Sequence, residues 1–356
     1  MEWINIFKHQ TICRLSLSLI CLVLFLSGCQ PEVPPPLQPD LPHFQIVFLG
    51  DLLLADAAQP LLDEHGYTWP FEQIAELIQG DYLIANLEGP ITTDQQPWDP
   101  DQRWSYNAQP QAAQALAEIG IDALGFSNNH TMDRGSEGIR DTLAHLETNR
   151  ITAFGAALNQ EQAEQPLIIE SPHGTVAVVA LSSDWGTDRT ASENSPGTVP
   201  LSKASIKKGY QLAQAAGADW VIGYVHWGSN YTEISDSQRR WGRAFARAGY
   251  HLIIGHGAHS LQPVEIINGM PVLYSLGNSI FGTPGRFNED FPGFGLIAHL
   301  EVGPQGFSQL RLNCIQTNNQ IVNFQPLPCT RDQAQAVFGS LAERLLIKDN
   351  HAVLTW

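Results

Sequence analysis

The sequence predicts an α/β fold. Short β-branched runs alternate with amphipathic helices along most of the chain, and run after run ends on a polar residue set beside glycine. The chain has 356 residues, 43% of them hydrophobic, enough for one large α/β domain or two smaller ones. Strand-helix alternation of this kind places functional groups just outside the strand ends. A net charge of −17 argues against nucleic acid as a partner, because binding it needs a basic face.

Taken in order, the chain opens with Lys8 and Arg14 before an apolar run, Leu15 to Leu26, too short to span a bilayer comfortably. It ends in Leu26-Ser27-Gly28-Cys29, which resembles a bacterial lipobox. That resemblance implies that 1–28 is a lipoprotein signal peptide and that the Cys29 thiol carries lipid, leaving an extracytoplasmic protein anchored to a bacterial membrane. Residues 29–42 are rich in proline and form an extended tether, so the globular part spans 43–356.

The first strand is Phe44 to Leu49, followed by Gly50-Asp51. A helix over 70–79 carries Phe71, Ile74, Leu77 and Ile78 on one face. Strand Tyr82 to Ala85 leads into Asn86-Leu87-Glu88-Gly89. Helix 109–119 and strand 121–126 lead to Ser127-Asn128-Asn129-His130, and helix 136–148 follows with Ser136 as its cap. Strand 175–181, helix 203–216 and strand 219–225 deliver His226. Helix 236–248 bears Arg239, Arg240, Arg243 and Arg247 on one side, which reads as a solvated face ahead of a polyanion site. Strand 251–254 ends in Gly255-His256-Gly257-Ala258-His259. The two imidazoles there either hydrogen-bond within the loop or converge on an ion. Strands over 295–302, 308–314 and 321–324 and a helix from Arg331 to about Leu346 complete the chain.

Asp51, Glu88, Asn129, His226, His256 and His259 all fall just after predicted strands. Carboxylates, an amide oxygen and imidazoles are the mixed donor set that Mn, Zn or Fe prefers, and a carboxylate can bridge two such ions. One or two divalent metals are therefore expected. Cys314 and Cys329 remain once the signal and Cys29 are set aside. They either stay as buried thiols or pair as a disulfide, worth about 3 kcal/mol by loop closure.

The segments at 50–51, 86–92, 127–135, 226–231, 255–265 and 274–278 resemble the CapA family of capsule and poly-γ-glutamate synthesis proteins, similar in fold to the calcineurin-like metallophosphoesterases. The resemblance covers about 43–282 and implies a metallophosphoesterase-like α/β/β/α sandwich. It also implies that Asp51 binds a first metal, that Glu88 bridges, that Asn129 and His226 bind a second, and that His256 and His259 complete the sites. His130 matches the histidine that assists a leaving group. Three departures count against phosphatase chemistry, one of them being Gly257 directly after His256, where many relatives have a second histidine. Leu53 stands where a further histidine ligand is usual, and Arg134 is the one cation beside these motifs. The expected function is support for synthesis or export of an envelope polymer such as poly-γ-glutamate. Its partners would be that polymer or its precursor and polymer-synthesis membrane proteins. A metal-dependent hydrolase of phosphoester or amide bonds, and a non-catalytic binding module, are the alternatives. Aromatic residues in the loops 92–110 and 282–293 should border the site, Trp98, Trp104 and Tyr106 either as a polymer platform or as packing.

Overall fold

Alternation along the central strands turns one set of side chains to each face, and both faces are apolar, so each sheet must be covered twice. The computed structural model describes residues 43–183, 186, 188–342 and 344–356; the signal, Cys29 and tether lie outside them. The described residues fall in a single compact unit.

Two sheets form. The first has ten strands, with the main path Leu346–Lys348, His351–Leu354, Gly306–Gln316, Phe294–Gly303, Phe44–Leu53, Tyr82–Leu87, Ala123–Gly125 and Thr152–Phe154. Asn278–Phe281 also pairs with Phe44–Leu53, and Leu327–Pro328 with Gly306–Gln316. The second runs Leu261–Ile267, Met270–Leu276, Leu252–His256, Trp220–His226, Gly174–Ser182 and Leu167–Ser171. The second has a parallel centre and antiparallel margins, whereas the first is parallel from Phe44–Leu53 out to Thr152–Phe154 and antiparallel on its other side.

Ile46, Phe48 and Ile84 of the first sheet meet Val178, Ile222 and Ile254 of the second in the central core. The opposite faces, Val47 and Leu49 in one sheet and Val179 and Val221 in the other, pack under separate helical layers. The layers are therefore α/β/β/α, a mixed sandwich. Each fully buried Phe, Ile or Leu adds on the order of 1.5–3 kcal/mol, so all three cores are needed.

Several local expectations are corrected. Residues 69–78 form a 3-10 helix, not an α-helix, and the spacing of three between Phe71, Ile74 and Leu77 suits that tighter winding. Helix Gly135–Thr148 starts with Arg134 at its cap position, which puts Ser136 inside the first turn. The strand expected at 321–324 is a short helix, Asn319–Val322. Asn318 caps it by accepting from Gln320 N, and Asn323 ends it in the left-handed region (φ 47°). The last helix stops at Leu341, because the chain turns back to add two edge strands. Cys314 and Cys329 are joined as a disulfide. Among the described residues no helix is long and apolar enough to cross a membrane.

Candidate metal centre

The strand Phe44–Leu53 runs on through Gly50 and Asp51 instead of stopping before them. A side chain at 50 would put its Cβ 2.0 Å from the Gly277 carbonyl oxygen, so glycine is required for the close approach in which Asp51 N donates to that oxygen (3.1 Å). Pairing then sets Asp51 beside Asn86 on one side and Asn278 on the other. In the second sheet His226 pairs with His256. Parallel register thus brings the strand ends of both sheets to one place.

Asp51 Oδ1 accepts from Asn86 Nδ2 (2.8 Å), and Oδ2 accepts from Gly257 N (3.3 Å). His256 Nδ1 lies 3.4 Å from Asp51 Oδ1, and His259 Nδ1 lies 3.3 Å from Oδ2. His259 Nε2 reaches to 3.3 Å from Glu88 Oε1, and its Nδ1 also meets Asn278 Oδ1 at 3.0 Å. His259 takes a left-handed backbone (φ 55°), which aims the ring back at Asp51 and Glu88 and is costly for a residue with a Cβ. Gly257 (φ 97°) has no room for a side chain, since a Cβ there would sit 2.7 Å from His226 Nε2.

These groups are buried, and burial sets their protonation. It pushes Glu88 up to about 8. For Asp51 burial acts upward too, but contacts with His256 and His259 hold its carboxyl far below the usual carboxylate range. Burial opposes a charge on His259, yet Glu88 and Asp51 beside it raise it to about 9. His226 is driven down to about 3 by burial.

The donor set fits a divalent cation. Asp51, Glu88 and His259 each offer a ligand atom, all within 4.8 Å of one another. Both Glu88 carboxylate oxygens and both ring nitrogens of His256 are buried without a hydrogen-bond partner. The approaches at 3.3–3.4 Å are close but lack hydrogen-bond geometry. Orphaned oxygen and nitrogen atoms converging in a dry site are what a divalent ion would satisfy.

The sequence-predicted residues divide by position. Asp51, Glu88, His256 and His259 meet directly, and His226 borders them, its Nδ1 3.5 Å from Asn86 Nδ2. Asn129 is half-buried toward the rim, where its carbonyl accepts from Arg189 (2.9 Å). Asn128 is the buried member of the asparagine pair and donates to Asn86 Oδ1 (3.3 Å) and the Leu87 carbonyl (2.7 Å). His130 Nε2 faces Glu88 Oε1 at 3.9 Å, and Nδ1 pairs with Asp133 Oδ2 at 2.7 Å. Leu53, where a histidine was expected, packs in the core.

Sequence reasoning missed Asn86, Asn278 and Asp133. All three lie inside the motif segments at 86–92, 274–278 and 127–135, and Asp133 follows His130 by three residues, so a turn brings the pair together. Arg134 is turned away from the centre onto Ser105, Asn107 and backbone carbonyls. Another arginine, Arg189, stands at the mouth instead.

Residues 45–283 match the family described as bacterial capsule synthesis protein PGA_cap, and every donor above falls inside that span. The chain belongs to this family. PGA_cap relatives include the PGA biosynthesis protein CapA of Bacillus subtilis strain 168, 28% identical over 237 residues, covering 66% of this chain and 62% of that protein. The capsule biosynthesis protein CapA of Bacillus anthracis is 24% identical over 246 residues, covering 66% and 59%. The matches thus span about three fifths of those relatives' lengths. Among solved structures the chain is similar to a phosphatase from Mycoplasma pneumoniae (TM-score 0.49, 15% identity, 77% of this chain and 94% of that one), a likeness that carries no argument about activity.

Proposed function

We propose that this chain is a lipid-anchored, extracytoplasmic member of the PGA_cap family that supports synthesis or export of an envelope polymer such as poly-γ-glutamate, using a divalent metal centre. The observation that carries the metal reading is the convergence of Asp51, Glu88 and His259 with the unpartnered atoms of Glu88 and His256. Mn, Zn and Fe all suit mixed carboxylate and imidazole donors. Asp51, Glu88, His226, His256, His259 and Asn129 would hold one or two such ions, and Cys29 would carry the lipid. The capsule role is supported by family membership and by the relatives' names.

A hydrolytic reading is favoured by one specific feature, the His130–Asp133 pair facing Glu88. A bound divalent ion would supply Lewis acidity there. Asp133 fixes the ring by accepting from Nδ1–H. Nε2 of His130 would then give a proton to the leaving oxygen or nitrogen as water adds to phosphorus or an acyl carbon and the ester or amide bond breaks, and the proton that the water loses passes to solvent, which returns one to Nε2.

Metal content by mass spectrometry tests the centre. Glu88→Gln should lose most of its bound metal and His130→Ala should retain it; equal metal in wild type and Glu88→Gln would remove the assignment. Palmitate labelling tests the anchor, which predicts an unlabelled, unprocessed Cys29→Ala precursor. Labelling of that variant would refute it.

A further inference from the structure

Three loops reach the mouth of the centre, and each brings an arginine laid over an aromatic ring. Arg103 lies 4.9 Å from the Trp104 ring centre, Arg189 5.5 Å from that of Trp98, and Arg286 4.9 Å from that of Tyr231. These are all the cation–π pairs among the described residues; two of them meet at one cleft, and the third lies on Tyr231, the residue after a member of that cleft. Arg103, Trp104 and Arg189 line one cleft of about 260 Å³ with His130, Asn129, Gln102 and Asn230. The ring of Tyr231, next to Asn230, lies tilted with its centre 6.0 Å from that of the His259 ring. In a chain with 19 Lys and Arg against 36 Asp and Glu, three arginines are gathered on the loops around one site.

None of the three arginines has a carboxylate within ion-pairing distance among the described residues, whereas Arg140, Arg239 and Arg331 do. Their aromatic partners hold the planar guanidinium in place without neutralising it, so its remaining N–H groups stay available at low entropic cost. Arg189 is fixed further. It donates from Nη1 to the Asn129 carbonyl and from Nη2 to Gln102 Oε1, both at 2.9 Å, which locks it beside His130. The general negative charge of the protein opposes an incoming anion only weakly beyond ~8 Å at physiological salt, so these local cations decide.

We propose that Arg103, Arg189 and Arg286 form an anion-recognition rim that seats a linear polyanion across the mouth of the metal centre. This deepens the envelope-polymer reading by giving the polymer its charge, through oxyanion groups that are either carboxylates or phosphates. Two parts follow. Arg189, closest to His130, places one oxyanion beside the centre, and the exposed Arg103 and Arg286 hold the flanking groups.

The test is fluorescence anisotropy on the full-length protein with labelled poly-γ-glutamate, labelled polyphosphate and neutral dextran, across a salt series. The triple variant Arg103→Gln, Arg189→Gln, Arg286→Gln should bind one or both anions about tenfold more weakly. It should also show a flatter salt dependence, with unaltered metal content and melting temperature. Arg189→Lys should recover part of the loss. Weakening for poly-γ-glutamate assigns carboxylates and weakening for polyphosphate assigns phosphates; either upholds the rim. Wild-type protein that binds neither anion, a triple variant within twofold of wild type for both, or an equal loss for dextran would overturn it. Failure of the metal reading shows separately, as unchanged metal in Glu88→Gln.

Discussion

Asp51 and Glu88 are both fully buried carboxylates, yet their surroundings differ. Asp51 accepts from an asparagine amide and a backbone N–H and has two imidazoles beside it, so its charge is compensated within the protein. Glu88 has no hydrogen-bond donor, and burial raises its carboxyl to about 8. A buried residue far from this centre gives a cleaner pH prediction. Burial, aided by Arg311, lowers His299 to about 3 from its ordinary 6.5. Between those values the unfolded chain binds the extra proton, so the neutral-histidine contribution is present above about 6.5 and is lost as pH falls toward 3. In urea titrations the wild-type midpoint should drop across this window more steeply than that of His299→Gln. Parallel slopes would show that His299 is not a source of acid sensitivity.

At the scale of elements, the 92–110 loop is held as much from beneath as by its own sequence. Asp133 accepts from Tyr106 N (2.7 Å) and Gln102 Nε2 (2.7 Å) while holding His130, so loop and site share one carboxylate. Its aromatic residues then part company. Tyr106 is buried with its ring 4.3 Å from His130 and belongs to packing. Trp98 does both, since its backbone N–H donates to the Asp133 carbonyl and its ring lies against Gly135 and Arg189. Trp104 is 42% exposed and touches the cleft, which fits a platform for an extended ligand. Trp104→Ala should weaken polymer binding several-fold with the melting temperature within about 2 °C of wild type, whereas Tyr106→Ala should lower it by several degrees. A large fall in melting temperature for Trp104→Ala with unaltered binding would assign that ring to packing as well.

At the scale of the molecule, the residues after the motif-bearing span complete the first sheet. Strands Phe294–Gly303 and Gly306–Gln316 continue it beyond Phe44–Leu53, the strand that carries Asp51. The Cys314–Cys329 disulfide, spanning 15 residues, ties that extension to the helix Arg331–Leu341, whose Ala334 and Phe338 close one side of the central core. Closing a loop of that size is worth about 3 kcal/mol. Replacing both cysteines by serine should lower unfolding free energy by at least that amount, since both side chains are buried. Equal urea midpoints for the oxidised wild type and the double variant would show that the bridge adds nothing to stability.

The sequence by itself determined the α/β class, the position of most central strands, and the four donors that meet directly, Asp51, Glu88, His256 and His259. Each signal is local: a β-branched run, a glycine that lets backbones close in, and a polar residue at the strand end. Only the tertiary structure decided what supports those donors. Asn86 and Asn278 act on Asp51 and His259 through strand register between segments far apart in the chain, and no local pattern encodes that pairing. The edge elements were lost for a related reason, because 319–322 becomes a helix through capping by Asn318, not through apolar periodicity. Arg103 and Arg189 are separated along the chain by 86 residues, the difference of their numbers, and they line one cleft because the loops that follow their strands are brought together by the packing of the two large sheets.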